Sequence, residues 1–322
     1  MSIQTVAKAL KINKLPFVTR TYRYLQDKLV TNYGSEVVMD ICTICTARCV
    51  YCLHQTNRMV KPRIMDYSVF EQIVPILKKD KIKKIHLFQS GEPFINPHIY
   101  GMINSVVELG MDCTIGTRLN TNIDLYRLKD IASRSKNTIE FLITIDSFDK
   151  SVLVSPGIKM ELVKDNIIKM AELLKYKNVK FTFSTIVTWV NEYEIFNTRD
   201  ELKSLGFKNW YASSMGYYMW NMATKRDIEV ISQYIPYNIK YRDRFNMTDG
   251  KIVQKPVHCN NLVPTISVDG DVLICCHDML HTINTGNIIK ENSLRKIVKG
   301  KKYSEFKQLA HKIQLDICKS CN

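Results

Sequence analysis

Three cysteines crowd into one short run, Cys45-Thr46-Ala47-Arg48-Cys49-Val50-Tyr51-Cys52, a C-x3-C-x2-C spacing with an aromatic residue just ahead of the last thiol. A loop this short that delivers three thiolates and no fourth can hold three irons of a [4Fe–4S] cube and leave one iron open to chelate a small molecule. Cys42 precedes the triplet, so the segment also reads as two C-x2-C pairs, Cys42/Cys45 and Cys49/Cys52, a set that suggests zinc. Zinc ribbons, however, separate their two pairs by about 12–20 residues so that the chain can fold back on itself. Three intervening residues are too few, and Cys42 is assigned to the buried end of the strand that leads into the loop.

Beyond residue 34, strand-like and helix-like segments alternate. Strands are expected at 36–41, 85–88, 113–119, 139–145, 179–187 and 210–215. Helices are expected between them: one capped by Asp66 and carrying Phe70, Ile73, Val74 and Leu77, with Pro75 in its middle, and one carrying Ile99, Met102, Ile103, Val106 and Leu109, closed by Gly110. Others are expected at 125–133, 162–174 and 192–205. Six β/α repeats built on apolar strands imply an α/β fold with a parallel sheet under helices, too short to close an eight-stranded barrel. In such folds the loops at the C-terminal ends of the strands carry the chemistry. The cysteine loop sits at such an end, after the first strand.

The second strand runs into Leu87-Phe88-Gln89-Ser90-Gly91-Glu92-Pro93. Small residues there let the backbone approach closely, and carbonyls or a carboxylate suit an amine. Together the two motifs resemble the radical S-adenosylmethionine (SAM) superfamily, with Ser90 standing where the first glycine of a GGEP motif is usual. The resemblance implies a partial (β/α)6 TIM-like barrel. It also implies that Cys45, Cys49 and Cys52 ligate a [4Fe–4S] cluster whose open iron binds SAM, and that Ser90, Gly91, Glu92 and Pro93 meet the amino group of SAM. Tyr51 matches the aromatic residue near adenine. Thr117 ends the third strand where relatives have Thr-Asn-Gly, although Arg118 and Leu119 intervene before Asn120. Thr144 and Asp146 fall where relatives carry a SAM-contacting Ser-x-Asp. Relatives place an arginine shortly afterwards for the SAM carboxylate. Residues 151–159 hold none, which leaves Lys150 and Lys159 as candidates.

Past residue 222 the alternation stops, and 224–254 reads as a polar, basic and irregular connection. The C-terminal part holds Cys259, Cys275, Cys276, Cys318 and Cys321, with an Asp269-Gly270 turn for a hairpin. A helix is expected at 293–298. This part resembles a shortened SPASM or twitch domain with a cysteine pattern like that of 2-deoxy-scyllo-inosamine dehydrogenases. The resemblance implies that Cys259, Cys275, Cys318 and Cys321 fully ligate a second, auxiliary [4Fe–4S] cluster, the same four thiols also suiting structural zinc. The expected organisation is a basic extension at 1–34, a barrel at 35–222, a connection at 223–255 and an auxiliary cluster domain at 256–322.

No apolar stretch approaches the roughly 18 residues of a membrane span and no secretion signal is seen. The ten cysteines therefore belong to a reducing cytoplasm. The net charge of +15 includes runs at Lys78, Lys79, Lys81, Lys83 and Lys84 and at Lys296, Lys299, Lys301 and Lys302. It suits a phosphate-bearing substrate, but solvated helix ends explain it equally. No motif interleaves aromatic residues with these lysines, so nucleic acid is not expected as a partner. The resemblance implies reductive cleavage of SAM and hydrogen abstraction from a sugar, aminocyclitol or nucleotide-linked sugar, with a ribosomally made peptide as the alternative. The chain shows no added domain for a peptide leader. An electron donor such as flavodoxin or ferredoxin is implied. Cys276 is a candidate hydrogen-atom donor for an epimerisation, with Asp278 as its acid. A zinc-loaded, nucleic-acid-associated protein without SAM chemistry is the contrasting reading.

Overall fold

Alternate residues of the long strands are buried, and this alternation fixes how the chain layers. Ile139, Phe141 and Ile143 are buried on one strand, and Val179, Phe181 and Phe183 lie beside them on the next. Burial with a period of two puts one face of each strand under helices and leaves the other open. The structure, a computed structural model, describes residues 34–55, 60–152, 155–216, 224–242, 245–248, 251–254, 262–312 and 314–315. The expected basic extension, with Tyr22, Tyr24, Leu25, Leu29 and Val30, lies outside the described residues.

Six strands pair in parallel and in chain order: β1 (Glu36–Met39), β2 (Lys84–His86), β3 (Asp112–Thr117), β4 (Ile139–Thr144), β5 (Val179–Val187) and β6 (Trp210–Ser214). Helices α1 (Tyr67–Lys79), α2 (Ile99–Glu108), α3 (Leu125–Arg134), α4 (Met160–Ala171) and α5 (Ile195–Ser204) connect them. This is the partial (β/α)6 barrel. On α1 the buried residues Phe70, Ile73, Val74 and Leu77 recur at helical spacing. Pro75 leaves that helix unbroken on its exposed side, where the carbonyl freed by its missing N–H faces water. Phe207 packs on Phe181 and Phe183 with ring centroids 5.1 and 4.8 Å apart. Burial of each such ring contributes about 1.5–3 kcal/mol.

The C-terminal part continues the same sheet. Strand β9 (Thr265–Ile266) pairs in parallel with β1, and β10 (Asp271–Leu273) returns antiparallel through the Asp269-Gly270 turn. Strand β11 (Asn284–Asn287) completes the nine-stranded order β11-β10-β9-β1-β2-β3-β4-β5-β6. Helices α7 (Ile288–Glu291), α8 (Leu294–Lys299) and α9 (Lys301–His311) follow, and Val272, Ile288, Leu294 and Ile297 belong to the core that also holds Met39 and Leu77.

One carboxylate helps seat this part on the barrel. Asp80, at the end of α1, accepts from Ser293 Oγ at 3.0 Å and from the Arg295 N–H at 2.9 Å, at the start of α8. Ser293 Oγ in turn accepts from the Lys296 N–H. On the exposed side Arg63 makes a two-pronged ion pair with Asp269.

The segment read as irregular is not. It holds α6 (Lys225–Ser232), whose Thr224 and Asp227 form a reciprocal capping box, and a hairpin of β7 (Phe245–Thr248) with β8 (Lys251–Gln254). Only Asp227 and Ile231 are buried on α6, so its sequence carries almost no apolar period. Among the described residues no helix is long and apolar enough to cross a membrane.

Removing the Asp80 carboxylate leaves the start of α8 short of an acceptor. Asp80→Ala is expected to lower the unfolding free energy by about 1–2 kcal/mol, the value of a lost cap. Ser293→Ala should lower it comparably, and the double variant should lose less than the sum of the two, because they share one interaction. Urea unfolding of the three variants checks this.

Candidate active site

The chain leaves β1 at Asp40 and is held on both sides before it reaches the cysteines. Met65 N–H donates to the Ile41 carbonyl at 3.0 Å, Thr43 N–H donates to the Arg63 carbonyl at 2.9 Å, and Cys42 bridges Ile64. Cys42 is 2% exposed, and burial pushes its thiol up to about 11. The next segment carries Cys45 and Cys52 half-buried and Cys49 buried.

Burial, followed by the charge of Cys49, pushes Cys52 up to about 12. Burial pushes Cys45 up to about 11; Glu92 and Cys49 raise it and Arg118 opposes them. Thiols raised in this way, Cys45 and Cys52, ionise when a cation takes up their charge, so ligation releases protons. Among the described residues no three His, Cys, Asp or Glu side chains converge on one metal ion. A cube needs no such convergence, because each thiolate holds a different iron.

Two other loops press against the cysteine segment with no space to spare. A Cβ on Gly91 would lie 2.4 Å from the Cys42 carbonyl oxygen and 2.5 Å from that of Ile44. Glu92 N–H donates to the same Ile44 carbonyl at 2.8 Å. After β4, a Cβ on Gly157 would lie 2.3 Å from the Thr46 carbonyl oxygen, while Arg48 N–H donates to Pro156 at 2.7 Å. Asn120 joins the two, donating to Thr46 Oγ1 and to the Gly157 carbonyl at 2.8 and 2.9 Å.

The expected SAM-site residues gather at these strand ends. Ser90 N–H donates to Asp40 at 3.3 Å, its carbonyl accepts from His54, and its hydroxyl is buried without a partner among the described residues. Glu92 is 2% exposed and accepts from Thr117 Oγ1 at 2.7 Å, Arg118 N–H at 2.9 Å and Phe94 N–H at 3.3 Å. Burial raises its pKa and those three donors oppose the rise. Its carboxylate therefore binds the β2 and β3 ends to each other. Pro93 opens a short turn, Pro93–Ile95. Thr144 Oγ1 lies 3.1 Å from Ser184 Oγ across the β4–β5 ladder. Asp146 is 1% exposed, and one of its oxygens pairs with Arg118 at 2.8 Å. Burial pushes the Tyr51 phenol well above its ordinary range, so it stays protonated and accepts from Arg118 Nη1 at 2.9 Å.

Arg118 is the residue that motif reading passed over. Lys150 and Lys159 are both exposed, whereas Arg118 is largely buried among the residues expected at the SAM site. Its signal was a charged side chain one position past the end of β3, whose partners come from loops distant in sequence. Asp40 and His281 were missed in the same way: their side chains meet at 3.3 Å across the two parts of the chain.

Cys275, Cys276 and Asp278 lie in the loop between β10 and β11, over the ends of β1 and β2. Gln89 Nε2 donates to the carbonyls of Cys276 and Asp278 at 3.2 and 3.4 Å. Asp278 is fully buried and accepts from Thr282 N–H, Thr282 Oγ1 and Ile283 N–H within its own turn. Cys259, Cys318 and Cys321 lie outside the described residues.

A short loop of three thiols, a flush Ser-Gly-Glu-Pro segment and a six-stranded parallel half-barrel agree with the sequence match to the radical SAM superfamily, which spans residues 39–202, just over half the chain. The chain belongs to the radical SAM superfamily. Residues 259–322 match the SPASM iron–sulfur cluster-binding domain. No curated protein matches the chain. Among solved structures the fold is similar to BtrN in complex with AdoMet and 2-DOIA, at 16% identity and a TM-score of 0.55, covering 89% of this chain and 92% of that one. It is also similar to native anSMEcpe with bound AdoMet, at 18% identity and a TM-score of 0.61, covering 88% of each chain. SuiB of Streptococcus suis bound to S-adenosylmethionine matches at 14% identity and a TM-score of 0.61, over 98% of this chain and 81% of that one.

This radical SAM protein therefore uses a [4Fe–4S] cluster and SAM, and its SPASM domain implies auxiliary iron–sulfur clusters. The crowded thiols and the sheltering loops fit the first of these. Replacing Cys45, Cys49 and Cys52 together by Ala is expected to remove about four irons per chain, counted by iron and sulfide assay after anaerobic reconstitution. Gly91→Ala is expected to fold yet lose most of the iron at this loop, because its Cβ meets backbone that cannot step aside. Gly34→Ala, with nothing within 4 Å, is the neutral control.

Proposed function

We propose that this radical SAM enzyme abstracts hydrogen from a hydroxyl-bearing small molecule, a sugar, aminocyclitol or nucleotide-linked sugar, and dehydrogenates or epimerises it. The observation that carries this reading is the open face of β4 to β6 beyond Asp146. The β4–β5 and β5–β6 registers set Thr144 beside Ser184, and Ser184 beside Tyr211, with Thr182 and Ser213 on the same face. Trp210 turns the other way, donating to Thr185 at 3.0 Å. These hydroxyls lie toward the C-terminal ends of the strands, past the register partners Glu140 and Lys180 of the same face, and they suit a polyhydroxylated ligand, whose groups both donate and accept.

When bound, the cluster and SAM supply one-electron cleavage to a hydrogen-abstracting 5′-deoxyadenosyl radical. The chain's own residues hold the cluster through Cys45, Cys49 and Cys52 and keep water out with Gly91 and Gly157. Ser90, Gly91, Glu92 and Pro93 shape the amine end of the SAM site. Tyr51, Thr117, Thr144 and Asp146 line the rest. Cys259, Cys275, Cys318 and Cys321 form the auxiliary ligand set in this reading, and flavodoxin or ferredoxin is the electron donor. Cys276, half-buried, is the candidate in this reading to return a hydrogen atom in an epimerisation. Asp278 serves it by holding the loop.

A ribosomally made peptide is the second reading. It is favoured by the outer edge of β6, which pairs with no strand among the described residues and could take an extended chain. Anaerobic, dithionite-reduced enzyme should form 5′-deoxyadenosine, and C–H-deuterated sugars or cyclitols should transfer their label into it. Transfer only from deuterated peptides would overturn the small-molecule reading.

The auxiliary ligand set has its own check. The Cys45/Cys49/Cys52 triple variant should keep about four irons in the C-terminal part. Zinc there after iron-replete anaerobic purification would overturn that assignment.

A further inference from the structure

From the end of β3, Arg118 reaches the three other loops at the expected SAM site. Its backbone N–H donates to Glu92 at 2.9 Å, in the loop after β2. Its guanidinium donates to Tyr51 OH at 2.9 Å in the cysteine loop, to Asp146 Oδ2 at 2.8 Å after β4, and to Ser155 Oγ at 3.1 Å further along. The arginine side chain is 12% exposed and that of Asp146 is 0% exposed.

The backbone is bent to place it there. Leu119 has φ +54°, a left-handed conformation unfavourable for leucine, and is fully buried. Its N–H donates to Thr117 Oγ1 at 2.8 Å and its carbonyl accepts from Asn166 Nδ2 at 2.8 Å. With Oδ2 engaged by Arg118, Asp146 Oδ1 remains, buried and without a partner among the described residues. A buried acceptor with no donor is costly unless a ligand supplies one.

We propose that Arg118 is the positioning residue of the SAM site: it fixes Asp146 so that Oδ1 stands as an acceptor for a hydroxyl group of SAM, and it fixes the Tyr51 ring through its phenol oxygen. This rests on the reading that SAM lies at these strand ends. A fork of coplanar N–H groups is required, since three partners at fixed angles exceed what a lysine ammonium can hold in place. The role differs from mere support of the fold, and the two are separable. Removing one member of a buried ion pair destabilises strongly, whereas replacing both by neutral groups of similar shape is nearly neutral.

The test uses reconstituted holoenzyme and SAM itself, with Arg118→Gln, Asp146→Asn, the double variant and Arg118→Lys. Iron content, thermal midpoint and SAM dissociation constant are measured on each. Arg118→Gln should lower the thermal midpoint, and the double variant should recover most of it. SAM binding should weaken about 10- to 100-fold in Arg118→Gln, the size of a lost hydrogen bond to a charged group. It should stay that weak in the double variant and in Arg118→Lys. The EPR signal of the reduced cluster should accordingly need proportionately more SAM to change. Recovery of SAM affinity together with the thermal midpoint would overturn the proposal and leave Arg118 a structural residue. Loss of iron in the double variant, or unweakened SAM binding in Arg118→Gln, would overturn it too. If every variant bound SAM normally yet Gly91→Ala still emptied the cysteine loop, the placing of SAM would be wrong while the cluster assignment stood.

Discussion

Backbone meets backbone where the loop after β2 touches the cysteine loop, with no space for even one methyl group at Gly91. Everything else at the site depends on that contact. The three thiols sit on a segment too short to form an element of its own, so its shape is imposed from outside. Gly91 and Glu92 brace it from one side, Pro156 and Gly157 from the other, and the returning residues 63–65 hold its entry. A loop held at so many points is pre-organised, and the ordering cost is met on folding instead of on cluster binding.

Charge is managed with the same economy. Glu92, Asp146 and Arg118 are all buried, a placement that is expensive unless each charge is answered. Glu92 collects three donors and Arg118 takes three acceptors through its side chain. Asp278 is answered by its own turn, and Asp40 by Ser90 and His281. These groups come from strand ends far apart in sequence. Their hydrogen bonds therefore record the tertiary arrangement as closely as the apolar core does.

Much of this was legible in the sequence, and the exceptions are instructive. Strand β5 lies where its alternating Val, Phe and Thr residues place it, at Val179–Val187, because packing and propensity agree there. Strand β4, expected among the apolar strands, buries Ile139, Phe141 and Ile143 on one face only. In the half-barrel its Leu142 and Thr144 face an interior that six strands cannot close. Helix α6 escaped notice because it buries so little, although its Thr224-x-x-Asp227 box was there to read. Strand β9 is two residues long, below any periodic signal. Arg118 looked like an interruption of a motif until the structure showed its guanidinium paired with Asp146 across the ends of β3 and β4. Local patterns reveal elements; which side chains meet across elements follows from registers that no single segment encodes.

The pairing of β9 with β1 has a consequence for how the chain can be divided. Strand β1 is an interior strand of a nine-stranded sheet, and the partner on its far side comes from residues more than two hundred positions later. A barrel cut off before β9 would expose a full row of unpaired amides and carbonyls directly beside the cysteine loop, and a bare edge of that kind recruits other chains. The two matched regions thus share one hydrogen-bonded frame, and neither is a module to be excised and grafted.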